Sequence, residues 1–284
     1  MALPSTLGKP LKSYSGRGIT SRQDIGVTLY EAEPGTGIVF VIKNGEAKNG
    51  DVKSGDAIAG EDKILLPAKA EYVVNTLRNV VLGQGRSRLC LVEHILCAVA
   101  LSNIDDLYIE VAGPEVPLGN GSGDLWMELF ESAGLCHPLP EATIELKQPI
   151  IINRKERSLI ALPDETFSVT YLMDYKHPKI GKIWRSWTTA DGTADILNAR
   201  TFGSLAEHKM LGLEELVVSM TEDGFTMDLR FEDEPVRHKL LDLVGDLMLC
   251  GVNPLKIKAR FISIKGGHEM DVEMAKQLAR AISV

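Results

Sequence analysis

Two short stretches and one loop hold most of the residues whose types and spacing can do chemistry. Glu93 and His94 stand side by side in an otherwise apolar run, with Leu91 and Val92 before them and Ile95, Leu96, Ala98 and Val99 after. An acid and an imidazole on such a background are costly to bury unless each finds a partner. A shared metal ion would supply one; the competing reading leaves both at the exposed end of a helix. Arg230 to Asp246 (RFEDEPVRHKLLDLVGD) is the richest stretch of the chain. His238 and Asp242 are four residues apart, so both leave one face of a helix, where imidazole and carboxylate can bind one metal ion. Asp246 lies one further turn along that stripe. The same residues also read as an ordinary surface helix, with Lys239 in the polar sector and leucines over most of the rest.

The loop is Lys265-Gly-Gly-His268. Its glycines permit close backbone approach to a ligand, and the helix start beyond it offers free N–H groups to an anion. A plain strand-to-helix turn has the same sequence. Weaker signals surround these. Cys90 is four residues before His94, but core packing accounts for Cys90 and Cys97 more simply. Asp174-Tyr-Lys-His177-Pro178 ends a strand and reads equally well as a loop. Gly119-Asn-Gly-Ser-Gly123 lacks the Gly-Lys-Ser/Thr ending of a phosphate loop and reads as a tight turn. His137, in a proline-rich segment, and His208, between Glu207 and Lys209, are expected to be solvated.

Taken together, His94 from the first half and His238 with Asp242 from the second give three protein ligands, the number expected of a catalytic zinc that keeps one position open for water. Glu93 adjoins the first ligand and is placed to take a proton from that water. His268 is placed to act as a general acid or a cationic stabiliser.

These residues need elements to position them. Strands are expected at Thr28–Tyr30, Gly37–Ile42 and Lys63–Leu66, followed by a helix at Val92–Ser102, a strand at Leu107–Ala112 and a helix at Asp124–Ala133 closed by Gly134. His137–Pro149 holds three prolines and reads as a linker. The pattern then restarts, with strands at Ile150–Asn153, Ser158–Leu162 and Phe167–Met173. A long helix follows at Pro235–Cys250, then a strand at Ile257–Ile264 and a closing amphipathic helix at Glu269–Ile282. Each half thus ends helix, strand, helix. The expected fold is α+β, with two domains of similar topology (1–136 and 137–284), each a sheet layered against helices, and a site between them.

Composition bounds the function. The 284 residues, 44% hydrophobic and 25% charged, are those of a chain able to bury a core, which excludes disordered and coiled-coil classes. The net charge of −8 argues against general nucleic-acid binding. No apolar run reaches the roughly 18 residues of a membrane span, and the first twelve residues lack the apolar core of a secretory signal. Four cysteines without a CxxC pair fit reduced thiols. A cytoplasmic, monomeric protein is expected.

At this point the residues match a known family. Val92–Leu96 (VEHIL), Asp105–Glu115 (DDLYIEVAGPE) with Val116-Pro117, Tyr175–Pro178 (YKHP), Ala199–Gly203 (ARTFG), Arg230–Asp246 and Lys265–His268 (KGGH) occur in family order over nearly the whole chain. The sequence resembles the UDP-3-O-acyl-N-acetylglucosamine deacetylases, zinc enzymes of early lipid A synthesis. The resemblance implies hydrolysis of the N-acetyl group of a UDP-linked, 3-O-acylated amino sugar, or of another acylated amine by the same chemistry. It implies Zn²⁺ on His94, His238 and Asp242, Glu93 as general base, and His268 as the protonated partner oriented by Asp246. It makes Thr201 a holder of the developing oxyanion and Phe202 and Lys239 substrate contacts, Lys239 towards the UDP part. Two stretches depart from the family. Gly16-Arg-Gly-Ile-Thr-Ser-Arg22 lacks the family's histidine, and Ser204–Thr226 is shorter than the family's insert around the acyl chain. Weaker discrimination by acyl length is expected from the second.

Overall fold

A computed structural model describes residues 7–43 and 63–282. The first half supplies β1 (Pro10–Arg17), β2 (Asp24–Tyr30), β3 (Ile38–Lys43), β4 (Lys63–Pro67), β5 (Val73–Asn75), β6 (Val81–Gln84), β7 (Ser87–Cys90), α1 (Glu93–Leu101), β8 (Leu107–Val111) and α2 (Asp124–Ser132). The second supplies β9 (Ile144–Glu145), β10 (Ile150–Arg154), β11 (Arg157–Pro163), β12 (Ser168–Tyr175), β13 (Gly181–Thr188), α3 (Ala194–Leu197) and β14 (Phe202–Ser204). It continues with α4 (Leu205–Leu211), β15 (Val218–Met220), α5 (Glu234–Leu247), β16 (Ile257–Ile264) and α6 (His268–Ala281).

The two main sheets have the same topology. The first runs β1-β2-β8-β3-β4 and the second β10-β11-β16-β12-β13. In each, the central strand is the one that follows a site-bearing helix: β8 follows α1 and β16 follows α5. Each central strand pairs antiparallel on one side, with β2 or β11, and parallel on the other, with β3 or β12. Alternation explains the half-buried strands. Ile25, Val27 and Leu29 of β2 point into the core, as do Ile257, Ala259 and Phe261 of β16. The expected helix–strand–helix repeat is therefore α1-β8-α2 and α5-β16-α6.

The expected linker is partly structured. Within it, β9 adds in parallel to the start of β16, and the His137 N–H donates to the Ser102 carbonyl. Strands β1 and β13 and the small β5-β6-β7 sheet have no counterpart in the sequence expectations. β13 is an edge strand whose Lys182, Trp184 and Ser186 are exposed, so it shows no apolar run.

Helices α1 and α5 cross at the centre of the molecule, and one apolar cluster joins residues of both halves there, among them Ile95, Cys97, Leu241 and Val244. All nine residues of α1 are buried. Pro235 stands in the first turn of α5, and Gly251 just past its 3₁₀ extension adopts φ +93°, the asymmetry expected of helix ends. Among the described residues no helix is long and apolar enough to cross a membrane.

Candidate active site

The crossing of α1 and α5 builds the site. Glu93 and His94 lie in the first turn of α1, and Glu234, His238, Asp242 and Asp246 recur at one-turn spacing along α5. Gly245 lets the helices approach: a Cβ there would lie 2.1 Å from the Glu93 carbonyl oxygen and 3.2 Å from the Cys97 backbone nitrogen. Both alternatives to a shared site fail on burial. Glu93 and His94 are 2% and 3% exposed, and His238 and Asp242 are 4% each, so neither helix is a solvated surface element at these positions.

One donor atom each from His94, His238 and Asp242 lies within 4.8 Å of the others. The two rings meet edge-on with centroids 5.1 Å apart, and His238 Nε2 is 3.5 Å from Asp242 Oδ1. Two ligands about 2.1 Å from a tetrahedral ion stand roughly 3.4 Å apart, so the spacing fits a metal ion. The far nitrogens fit too. His94 Nδ1 donates to the Ser122 carbonyl (3.4 Å) and His238 Nδ1 to the Ala199 carbonyl (3.1 Å). This leaves both Nε2 atoms as free lone pairs.

Protonation agrees with that arrangement. Burial, helped by the neighbouring His238, lowers the His94 pKa to about 3. Burial likewise lowers that of His238. Burial alone would raise Asp242, but Lys239, His238 and His268 outweigh it and hold the carboxyl below its usual range. Two neutral imidazoles and one carboxylate are the forms a metal requires.

Glu93 and His268 are set differently. Burial pushes the Glu93 carboxyl up to about 8, with His268 opposing and Asp246 and Asp242 adding; its Oε2 accepts the Val80 N–H at 3.1 Å. His268 Nδ1 donates to Asp246 Oδ2 at 2.7 Å. Burial would lower the His268 pKa, but Asp246, Asp242 and Glu93 outweigh it and raise it to about 10. The site thus pairs a carboxyl that exchanges a proton near neutrality with an imidazolium. Asp271, absent from the sequence expectations, is 1% exposed beside this pair, and burial and Asp246 push it up to about 8.

Of the remaining expected residues, Lys239 and Phe202 adjoin the cluster. Lys239 Nζ donates to Asp242 Oδ2 at 2.9 Å and sits 5.6 Å from the centroid of the Phe202 ring. Phe202 lies edge-on to His238 and to Tyr175. Thr201 closes against the 119–123 turn, where both its N–H and its hydroxyl donate to the Gly121 carbonyl; Gly119 and Gly121 have φ of +60° and +90°, as a tight turn needs. His177 Nε2 donates to the Thr221 carbonyl at 3.0 Å, and the residue is not part of the ligand cluster. His137 is exposed as expected. His208 is not: it is buried, with Nδ1 2.8 Å from Ser219 Oγ. The pairing of β14 with β15 covers it, which its charged sequence neighbours conceal. Glu234, also missed by the motif argument, is one turn before His238 in the same stripe. Four-residue spacing was the available signal.

Comparison with known proteins gives one consistent result. The sequence profile of the UDP-3-O-acyl N-acetylglycosamine deacetylase family matches residues 5–280. Similar curated proteins carry the name UDP-3-O-acyl-N-acetylglucosamine deacetylase. The one from Thermosynechococcus vestitus is 31% identical over 277 residues, 94% of this chain and 91% of the relative. That from Chlamydia abortus is 31% identical over 283 residues, 95% and 94%. That from Leptospira biflexa is 34% identical over 281 residues, 93% and 86%.

Proposed function

The chain belongs to the UDP-3-O-acyl N-acetylglycosamine deacetylase family, and from that premise we propose that it hydrolyses the N-acetyl group of a UDP-linked, 3-O-acylated N-acetylglucosamine in lipid A synthesis. The products are acetate and the free amine. The observation that carries this reading is the buried His94–His238–Asp242 cluster with Glu93 beside it. His94, His238 and Asp242 hold a Zn²⁺ ion, which when bound supplies a Lewis acid for the amide carbonyl and lowers the pKa of water.

The chain's own groups then have defined tasks. Glu93 takes a proton from the attacking water as the water oxygen bonds to the acetyl carbon. The carbonyl electrons move onto oxygen, and Thr201 donates to that oxyanion once its hydroxyl leaves Gly121. His268, held cationic by Asp246, stabilises the same charge. When the C–N bond breaks, the amine takes a proton from Glu93 or from His268, both of which carry one at that stage. Phe202 and Lys239 line the approach, Lys239 towards the diphosphate of the UDP moiety. The reading places the enzyme in the cytoplasm as a monomer, with 1–136 and 137–284 as its two domains.

A 3-O-acyl group needs apolar surface. Met210 of α4 and Leu77 are 77% and 75% exposed. The Arg78–Glu207 ion pair ties their two segments together, and α4 follows directly on the strand that carries Phe202. The test is a product assay on UDP-3-O-acyl-N-acetylglucosamine run beside plain UDP-N-acetylglucosamine. Acetate release from the acylated sugar alone is expected. No release from it by zinc-loaded protein would overturn the proposal.

A further inference from the structure

Glu234 opens α5 and is 1% exposed. Its two oxygens take four donors, which fills a carboxylate's lone-pair sites. Oε1 accepts the Arg200 backbone N–H (2.9 Å) and Arg200 Nε (2.8 Å). Oε2 accepts Arg200 Nη2 (3.0 Å) and the Arg230 backbone N–H (2.6 Å).

Two of these bonds lead to the candidate metal ligands. The Arg200 N–H and the Ala199 carbonyl belong to one peptide unit, which is planar and points its N–H and C=O in opposite directions. Glu234 grips the N–H end. The carbonyl end accepts from His238 Nδ1 at 3.1 Å. Fixing the plane of that peptide therefore fixes the ring and tautomer of His238, with Nε2 left as a lone pair.

The second route runs through Arg230. Its backbone N–H is held by Glu234, and its Nη1 donates to Asn198 O (2.9 Å), Asp124 Oδ2 (3.0 Å) and Ser122 Oγ (3.3 Å). Ser122 in turn offers its carbonyl to His94 Nδ1. The carbonyls that orient His94 and His238 come from opposite halves of the chain, yet both supports meet at one carboxylate.

We propose that Glu234 is a positioning residue that sets the orientation and tautomer of both imidazoles, through the Ala199–Arg200 peptide on one side and Arg230 and Ser122 on the other. The proposal rests on the metal reading given above for its consequence in affinity, but its effect on the rings exists without metal. Loss of such an outer support typically costs about 10–100-fold in metal affinity. Glu234→Gln keeps size but replaces one acceptor oxygen with a donor group, so the four donors can no longer all be satisfied.

The experiment uses the full chain and two readouts. Co²⁺ titration followed by visible absorption gives affinity. Imidazole ¹⁵N NMR of the metal-free protein gives the tautomer of each ring. Wild type is expected to bind one Co²⁺ and His238→Ala none. E234Q should bind Co²⁺ about 10–100-fold more weakly, with both rings losing the single Nδ1–H tautomer. Arg230→Met leaves the grip of Glu234 on the Ala199–Arg200 peptide but loses the bonds to Ser122 and to the Asn198 carbonyl, so it should disturb His94 more than His238. E234Q that binds Co²⁺ within about twofold of wild type, with both tautomers unchanged, would overturn the proposal. If E234Q does not fold, R230M decides it: unchanged His94 resonances overturn it. Wild type that binds no Co²⁺ would refute the metal reading instead, and the ring tautomers alone would then decide the role of Glu234.

Discussion

Replacing Gly245 with Ala tests whether the helix crossing sets the site. The added Cβ would lie 2.1 Å from the Glu93 carbonyl oxygen, 3.0 Å from its carbonyl carbon and 3.2 Å from the Cys97 nitrogen. All three are backbone atoms of α1, so no side-chain rotation relieves the clash. The helices must part by about 1 Å to reach even the tightest ordinary contact. Two effects oppose each other in stability. Alanine is favoured over glycine in a helix by about 1 kcal/mol, whereas overpacking costs about 1–3 kcal/mol. A backbone clash belongs at the upper end of that range, so a net loss of about 1–2 kcal/mol is expected. The effect on the site should be larger in proportion. Glu93 and His94 ride on one helix and His238 and Asp242 on the other, and a misplacement of about 1 Å at reacting groups costs about 10²-fold in rate. The assays are kcat/KM for N-acetyl release, Co²⁺ affinity and urea unfolding. G245A that keeps its stability and stays within about threefold of wild-type kcat/KM would refute the reasoning.

Glu93→Gln should keep the metal and lose about 10²–10⁴ in kcat, the usual worth of a general base; a metal-loaded variant within a few-fold of wild type would exclude that role. Chelation should abolish activity and low Zn²⁺ restore it, while His238→Ala should lose both metal and rate; full turnover by metal-free wild type contradicts this. His268 has its pKa raised from 6.5 to about 10, so its stabilising contribution is full below pH 6.5 and is lost as pH rises through 10. Urea midpoints of metal-free protein should fall over that window, and less steeply in His268→Gln; equal slopes would speak against the buried ion pair. Across a series of 3-O-acyl chains, kcat/KM should change by less than about tenfold per two methylenes, because Leu213 and Val217 of the short 204–226 segment are buried against Leu118 rather than open to a ligand; a steeper rise would show a full acyl passage.

The repeat of helix, strand and helix was legible because each of those elements has a strong period or punctuation. Ile257–Ile264 alternates buried with half-exposed or exposed positions along its whole length, and Gly134 and Gly251 mark helix ends by positive φ. The edge strands were not legible. β1 reads PLKSYSGR and is exposed over most of its length, so burial left no pattern in it. Helix α1 was legible as a helix but not as a buried one. Periodicity distinguishes faces, and a helix covered on every side has no face to distinguish. Whether Glu93 and His94 meet water therefore depended on α5, some 140 residues later in the sequence. Their hydrogen-bond partners were equally distant: Ser122 is 28 residues from His94, and Ala199 is 39 from His238.

Helix α5 shows what the sequence held and what its reading requires. Glu234, His238, Asp242 and Asp246 put one ionisable group on every turn of a single stripe, and all four are 4% exposed or less. A surface helix would give such a stripe to water. Here each group must find its own partner, since an unpaired buried charge is strongly destabilising. The partners come from separate places: Arg200 for Glu234, the Ala199 carbonyl for His238, Lys239 for Asp242 and His268 for Asp246. Four-residue spacing alone fits both a wet face and this dry one. What separates them is the other face of the helix. Leu240, Leu241, Leu243, Val244 and Leu247 surround the stripe and are fully buried, so only Arg237 and Lys239, both half-buried, keep any part of α5 near solvent. A polar stripe that is itself buried must face other protein groups or a ligand. By that test Glu234 belongs to the site as much as the three residues that follow it.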